Sequence, residues 1–313
     1  MADIVITEFM DEAAVALLRE RHSVHHDPAL ADAQERIPAA LEGARALIVR
    51  NRTGVTVELL DAAPSLEAVG RLGVGLDNID LAACKARGVA VYPATGANSI
   101  AVAEYVIAMA LMLVRGAYMA NERVIAGDWP REALIGREIS GKTMGLVGFG
   151  GIAREVASRA RALGMAVVAF DPFVPADDPA WTGTERLDLD ALVARADVVS
   201  LHVPLNAETR DLFGPERIAA MRPGAVLVNS ARGGIVDEAA LAEALRDGRI
   251  GGAALDVFAD EPLDAARGAL FSGLGNIVLT PHVAGVTEEA NVRVSRMTAE
   301  TILTALEGRT NGG

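Results

Sequence analysis

A chain of 313 residues is long enough for two domains at ~150 residues each, and a 51% apolar composition can fill two cores. Its formal net charge of −13 argues against nucleic acid and anionic membrane as partners, because both reward a surface rich in lysine and arginine. The longest apolar stretch, Tyr105 to Val114, covers about half of the ~20 residues that span a bilayer, and no basic and apolar leader opens the chain, so a soluble cytoplasmic protein is expected.

Short Val/Ile/Ala-rich runs alternate with helical patterns from the first residues onward, which is the signature of βαβ units and a parallel sheet. The fold class is therefore α/β. Strands are predicted at Asp3 to Thr7, Ala46 to Val49, Leu66 to Gly70 and Val89 to Tyr92, with helices at Glu12 to Arg21 and Val57 to Ala62. Three histidines, His22, His25 and His26, match no ligand spacing and read as a solvated loop, so no metal is expected. The segment IVRNRTG, Ile48 to Gly54, puts Arg50 and Arg52 directly after a strand. Extended backbone would point both arginines to one face, ready for an anion. A solvated loop is the plainer alternative. Cys84 lies in the helical pattern LAACKARG and reads as a small core residue.

A long helix is predicted from Ser99 to about Val124, apolar enough on its first half to be buried between layers or subunits. After the turn-rich GDWPREALIGREISGK, the alternation restarts at Thr143, and the restart marks a second domain. Strand TMGLVGF leads into a helix from Gly151 to Ala162, followed by strand AVVAF, helix LDALVARA, strands VVSLHV and AVLVNSA, helix EAALAEALRDG, and strands GGAALDV and NIVLTPH. An amphipathic helix from about Glu288 to Glu307 closes the pattern.

Within the restart, Gly148-Phe149-Gly150-Gly151-Ile152-Ala153 fits G-x-G-x-x-G/A between a strand and a helix, with Asp171 ending the next strand. Gly148 permits the tight turn, Gly150 lets backbone approach a pyrophosphate, and Ala153 keeps helix and strand close. The helix N-terminus offers unpaired N–H groups to phosphate. Asp171 suits the ribose hydroxyls and would repel a 2′-phosphate, which points to NAD rather than NADP.

Three more segments, NSARGG, DVFADEP and TPHVAG, follow at strand ends and could bring Arg232, Glu261 and His282 together, since ligands of open α/β sheets bind outside the carboxyl ends of the strands. Oxidising a secondary alcohol needs a base for the hydroxyl proton, and histidine titrates in the useful range. A carboxylate beside it orients the ring and stabilises imidazolium. An arginine clamps a substrate carboxylate at two points. Singly, each has a plainer reading: a packed histidine, a turn before Pro262, an Arg232–Asp237 pair.

Together, NSARGGIVDEAAL, ALDVFADEP, LTPHVAG, GKTMGLVGFGGIAREVA and GRLGVGLDNID resemble the signatures of the D-isomer-specific 2-hydroxyacid dehydrogenases, especially the 3-phosphoglycerate dehydrogenase branch, from about Leu47 to Leu303. The resemblance implies two Rossmann-like, doubly wound parallel-sheet domains, with the cofactor domain (99–285) inserted into the substrate domain (1–98 plus 286–313). It implies Arg232, Glu261 and His282 as the catalytic three. Cofactor contacts would come from Gly148, Gly150, Gly151, Ile152, Asp171, Ala231, Asp256 at the nicotinamide carboxamide, His202 and Pro204 on the adenine side, His282 and Gly285. Substrate contacts would come from Val74, Gly75, Asn98, Arg50 and Arg52, with Arg232 at the near carboxylate. A homodimer through the cofactor domain is implied as well. Where the family usually has Arg-Ile-Gly, this chain has Gly151-Ile152-Ala153, so a side chain able to reach the pyrophosphate is missing. The expected substrate is a 2-hydroxyacid or 2-oxoacid with a second anion at C3, of the 3-phosphoglycerate or sulfolactate type. The alternatives are a glyoxylate/hydroxypyruvate-type reductase and, from another class, an NAD-sensing corepressor.

Overall fold

The computed structural model describes residues 2–310. The chain divides into two compact units, Met1–Asn98 with Val286–Gly313, and Ser99–Gly285.

The first unit carries a parallel sheet of five strands among the described residues: β1 (Ile4–Ile6), β2 (Val24–His26), β3 (Ala46–Val49), β4 (Ala68–Arg71) and β5 (Ala90–Pro93). Their order is β2-β1-β3-β4-β5. Every residue of β1 and β3 is buried, as expected of parallel strands covered on both faces, and their sequences IVI and ALIV are unbroken apolar runs for that reason. One face packs Ile4, Ile6 and Ile48 against Leu18, Ile302 and Leu306. The other packs Val5, Leu47 and Val49 against Leu60 and Cys84. Cys84 is 1% exposed, and burial pushes its thiol pKa up.

The helix Glu12–Arg19 begins at Asp11, whose carboxylate accepts from Ala13 N at 3.1 Å. The final helix, Glu288–Thr310, lies directly on β4. A Cβ on Gly70 would come within 2.9 Å of both Ile302 and Thr298. The histidines depart from the expected solvated loop. Val24–His26 is an edge strand in register with β1, and the His26 side chain is only 8% exposed. Three residues of mostly polar sequence carry no apolar alternation, so pattern alone misses such an edge.

The second unit holds a parallel sheet of seven strands among the described residues: β6 (Thr143–Val147), β7 (Ala166–Phe170), β8 (Glu185–Arg186), β9 (Val198–Leu201), β10 (Val226–Asn229), β11 (Gly252–Leu255) and β12 (Ile277–Leu279). Their order is β12-β11-β10-β9-β6-β7-β8. Both units are thus doubly wound, with the winding direction reversing between β1 and β3 in the first and between β6 and β9 in the second.

The long helix ends earlier than expected, spanning Ser99–Arg115. Gly116 follows with φ 69° and donates to Met112 O at 2.8 Å, a left-handed glycine stop. A 3₁₀ turn at Ala117–Met119 and a separate helix at Asn121–Ile125 continue the chain. Ala103, Val106, Ala110 and Val114 of the long helix share a core with Ala153, Val156 and Ala160 of the helix Gly151–Ala162. The two-residue strand β8 and the helix Pro215–Ala220 are too short to give a periodic signal.

Candidate active site

Where the second sheet reverses, the turn after β6 meets the end of β9. Gly148 has φ 89°, and a Cβ there would stand 2.5 Å from His202 O, so both conformation and contact require glycine. Above Gly150, by contrast, a Cβ would meet nothing within 4 Å. Gly150 caps the helix Gly151–Ala162 without any side-chain hydrogen bond, which leaves the amides of its first turn pointing into open space. Phe149 N donates to Asp171 Oδ2 at 2.7 Å, while Asp171 Oδ1 accepts from Phe173 N at 2.8 Å. His202 bonds to Ser200 Oγ at 3.0 Å. Burial pushes its imidazole down to about 4, so the ring is neutral at pH 7. Pro204 is exposed beyond it.

The ends of β10, β11 and β12 carry the remaining groups. The side chain of Asn229 fixes the turn after β10, accepting from Ala231 N at 3.1 Å and donating to Arg232 O at 2.9 Å. Arg232 is half-buried and donates from Nη1 to Ala231 O at 2.6 Å. A Cβ on Gly233 would lie 1.7 Å from Phe258 O, so this turn rests directly on the backbone that leads to Glu261. Phe258 N donates to Glu261 Oε1 at 3.0 Å, and Glu261 Oε2 lies 2.7 Å from His282 Nδ1.

His282 stands in the left-handed region at φ 56°. A side chain rarely adopts that conformation without an external constraint. The constraint is Asp256, which is 1% exposed. Its carbonyl oxygen accepts from His282 N at 2.8 Å. Its carboxylate accepts from Thr280 Oγ1 at 2.6 Å, Val283 N at 2.8 Å and Ala284 N at 2.8 Å. Because Thr280 gives its proton to that carboxylate, the Tyr105 hydroxyl 2.7 Å away is the donor to Thr280. Burial pushes the Tyr105 pKa up to about 12, which keeps this proton in place. Asp256 therefore shapes the turn that presents His282, with its oxygens taken up by its own chain.

In the first unit, Gly73 in the loop after β4 has φ 143°, and a Cβ there would collide with Arg71 Nη1. The neighbouring Val74 is 38% exposed, and Gly75 is half-buried. Asn98 is half-buried too, with Oδ1 enclosed and without a hydrogen-bond partner among the described residues.

The arginine segment departs from expectation. β3 stops at Val49, and residues 50–53 curl around Glu8 instead of continuing as a strand. The alternation that would place both arginines on one face does not apply. Arg50 donates from Nη2 to Asn291 Oδ1 at 3.0 Å, whereas Arg52 ion-pairs with Asp32 at the surface.

Known proteins resemble this chain in sequence and fold. Residues 107–284 match the D-isomer specific 2-hydroxyacid dehydrogenase, NAD binding domain. An (S)-sulfolactate dehydrogenase of Chromohalobacter salexigens is 56% identical over 98% of this chain and 99% of its own. The chain belongs to the D-isomer-specific 2-hydroxyacid dehydrogenases. A D-3-phosphoglycerate dehydrogenase of Synechocystis is 39% identical over 98% of this chain. The match covers 55% of that protein, so this chain spans about half the length of such relatives. Among solved structures, a D-lactate dehydrogenase of Aquifex aeolicus complexed with NAD and lactic acid superposes with TM-score 0.84 at 29% identity, covering 98% and 96% of the two chains.

As a 2-hydroxyacid dehydrogenase of this family, the chain is an NAD-dependent enzyme, and its own residues fit that cofactor. The open space over Gly150, the uncapped first turn and the bidentate Asp171 are what a dinucleotide requires. Sequence reasoning did not reach Glu8, Asn78, Asn291, Tyr105 or Thr280. For Glu8 a signal existed, namely a polar residue two positions beyond a buried strand, and Thr280 directly follows β12. For Tyr105, Asn78 and Asn291 none did, because their partners lie far along the chain.

Among the described residues, no helix is long and apolar enough to cross a membrane.

Proposed function

We propose that this dehydrogenase oxidises a 2-hydroxyacid bearing a sulfonate at C3, of the sulfolactate type. The observation that carries the reading is the 56% identity, end to end, with an (S)-sulfolactate dehydrogenase. It is supported by Arg50, which burial has partly stripped of water and which therefore answers strongly to an anion.

NAD, when bound, supplies the hydride acceptor. The amides of Gly151 and Ile152 would hold its pyrophosphate and Asp171 its adenosine ribose, with Ala231, Pro204 and Gly285 beside them. His202, neutral and packed at the switch point, supports Gly148 and carries no charge to the cofactor. His282 takes the C2 hydroxyl proton at Nε2, because Nδ1–H is committed to Glu261. The Glu261 carboxylate stabilises the resulting imidazolium and holds the ring plane. In the second unit Arg232 is assigned the substrate carboxylate; in the first, the amides of Val74 and Gly75 and the side chain of Asn98 are assigned substrate contacts. Arg50 meets the C3 anion, and Arg52 keeps to the surface with Asp32. Asp256 acts through the 280–284 turn.

The same reading takes the enzyme as a cytoplasmic homodimer formed through the second unit. Tyr118, Ile125, Trp129 and Ile135, at 61%, 85%, 79% and 81% exposure, are large apolar side chains within one stretch of the second unit that a second copy would cover. Sedimentation velocity reads this directly, and a monomer at micromolar concentration refutes it.

Steady-state kinetics with NAD and sulfolactate, 3-phosphoglycerate, malate, lactate and glycerate test the substrate. The highest kcat/KM is expected for sulfolactate, by about tenfold or more. A preference for lactate or glycerate overturns the second-anion reading, and no turnover on any member would favour a non-catalytic NAD sensor.

A further inference from the structure

In doubly wound sheets, ligands bind outside the carboxyl ends of the strands where the winding reverses. The first unit reverses between β1 and β3, and that crevice is filled by the chain itself. Glu8, two residues beyond β1 and 4% exposed, turns its carboxylate into the loop after β3. Oε1 accepts from Arg50 N at 2.8 Å, Arg52 N at 3.2 Å and Thr53 N at 3.0 Å. Oε2 accepts from Asn51 N at 3.3 Å and Arg52 N at 3.1 Å. Four consecutive amides converging on one anion form a nest, and here the anion is covalently part of the protein.

The outer side of the loop is fixed as firmly. Asn78 Nδ2 donates to Arg50 O at 3.2 Å and to Thr53 O at 2.6 Å. The hydroxyls of Thr7 and Thr53, both 0% exposed, lie 2.8 Å apart. A loop held on its amides by a charge and on its carbonyls by an amide has little freedom left, and it delivers Arg50 to Asn291 in a single orientation. The Glu8 charge also opposes the effect of burial on the Arg50 guanidinium.

We infer that Glu8 is a positioning residue for substrate specificity: its carboxylate serves as a built-in ligand of the β1/β3 crevice, setting the 50–53 loop so that Arg50 is preorganised for the distal anion of the substrate. This rests on the reading of Arg50 given above. Glu8 itself touches neither substrate nor cofactor.

Glu8→Gln keeps volume and one carbonyl oxygen but turns an NH₂ toward amides that are themselves donors, so part of the nest loses its acceptor. Reduction of sulfopyruvate and of hydroxypyruvate by NADH separates the consequences, since the two share a three-carbon frame and differ in the second anion. Glu8→Gln is expected to raise KM for sulfopyruvate about tenfold, with kcat and the hydroxypyruvate KM within twofold of the parent. Arg50→Ala, measured in parallel, is expected to show the same separation more strongly. If Glu8→Gln weakens both substrates alike while Arg50→Ala separates them, Glu8 is only structural and the inference falls. If Arg50→Ala itself fails to separate them, the reading of Arg50 falls first. Should Glu8→Gln not fold, Asn78→Ala loosens the same loop from its carbonyl side and must reproduce the selective rise in KM; an equal effect on both substrates overturns the inference.

Discussion

Thr280 donates its hydroxyl proton to Asp256 at 2.6 Å, and through this bond a buried carboxylate governs the turn that presents His282. Thr280→Val removes the donor while keeping the shape, leaving Tyr105 without its acceptor. The expected cost is about 1–2 kcal/mol of stability, read as a shift in urea midpoint, together with a several-fold fall in kcat as His282 loses its fixed backbone. Thr280→Ser should restore both.

The His282–Glu261 contact predicts unequal losses. His282→Gln removes the acceptor of the hydroxyl proton and should lower kcat by ~10²–10⁴-fold with NAD affinity intact. Glu261→Gln leaves the base present but less well held, so the fall in kcat should be smaller. Initial rates at 340 nm, with NAD binding followed by calorimetry, compare the two.

Two glycines of one turn should respond differently to the same methyl group. Gly148→Ala forces a Cβ to 2.5 Å from His202 O at φ 89°, so both Tm and NAD binding should fall. Gly150→Ala has open space around it, so Tm should stay near the parent value while KM for NAD rises about tenfold or more, because the methyl occupies the approach of the pyrophosphate. Thermal melts without cofactor, set beside KM for NAD, distinguish them.

His202 predicts a pH dependence of stability. Its folded pKa is about 4, against about 6.5 in an unfolded chain. Between these values the unfolded state binds the proton and the folded state does not, so stability falls as pH drops from about 6.5 to about 4, by up to about 3 kcal/mol. His202→Gln should flatten that part of the curve. Denaturant midpoints at pH 7 and pH 4.5 for both proteins measure the difference.

The sequence made the sheets legible wherever strands are buried on both faces, since IVI, ALIV and TMGLV leave no other economical reading. It also made the nucleotide turn legible, because Gly148 and Gly150 must lie at a fixed offset between a strand and a helix. What it hid were elements held by partners remote in the chain. β2 exists because β1 offers it an edge, and Gly116 ends a helix whose apolar pattern runs on past it. Arg50 and Arg52 would share one face only on an extended backbone, and β3 ends at Val49. The bend that separates them is imposed by Glu8, 42 residues before Arg50, and no local pattern records such a contact.

The final helix has a consequence for the order in which the protein can assemble. Val294, Ala299, Ile302, Leu303 and Leu306 complete the core on one face of the first sheet, and Gly70 is bare of a side chain so that this helix can lie against β4. On the ribosome, β1 to β5 emerge first, yet that face has the helix Glu12–Arg19 as partial cover and stays incomplete until residues beyond Glu288 appear. The unit Ser99–Gly285 is one continuous stretch of chain and can close while the earlier strands still wait for their cover. The unit whose strands are synthesised first is therefore the one whose core is completed last by the chain.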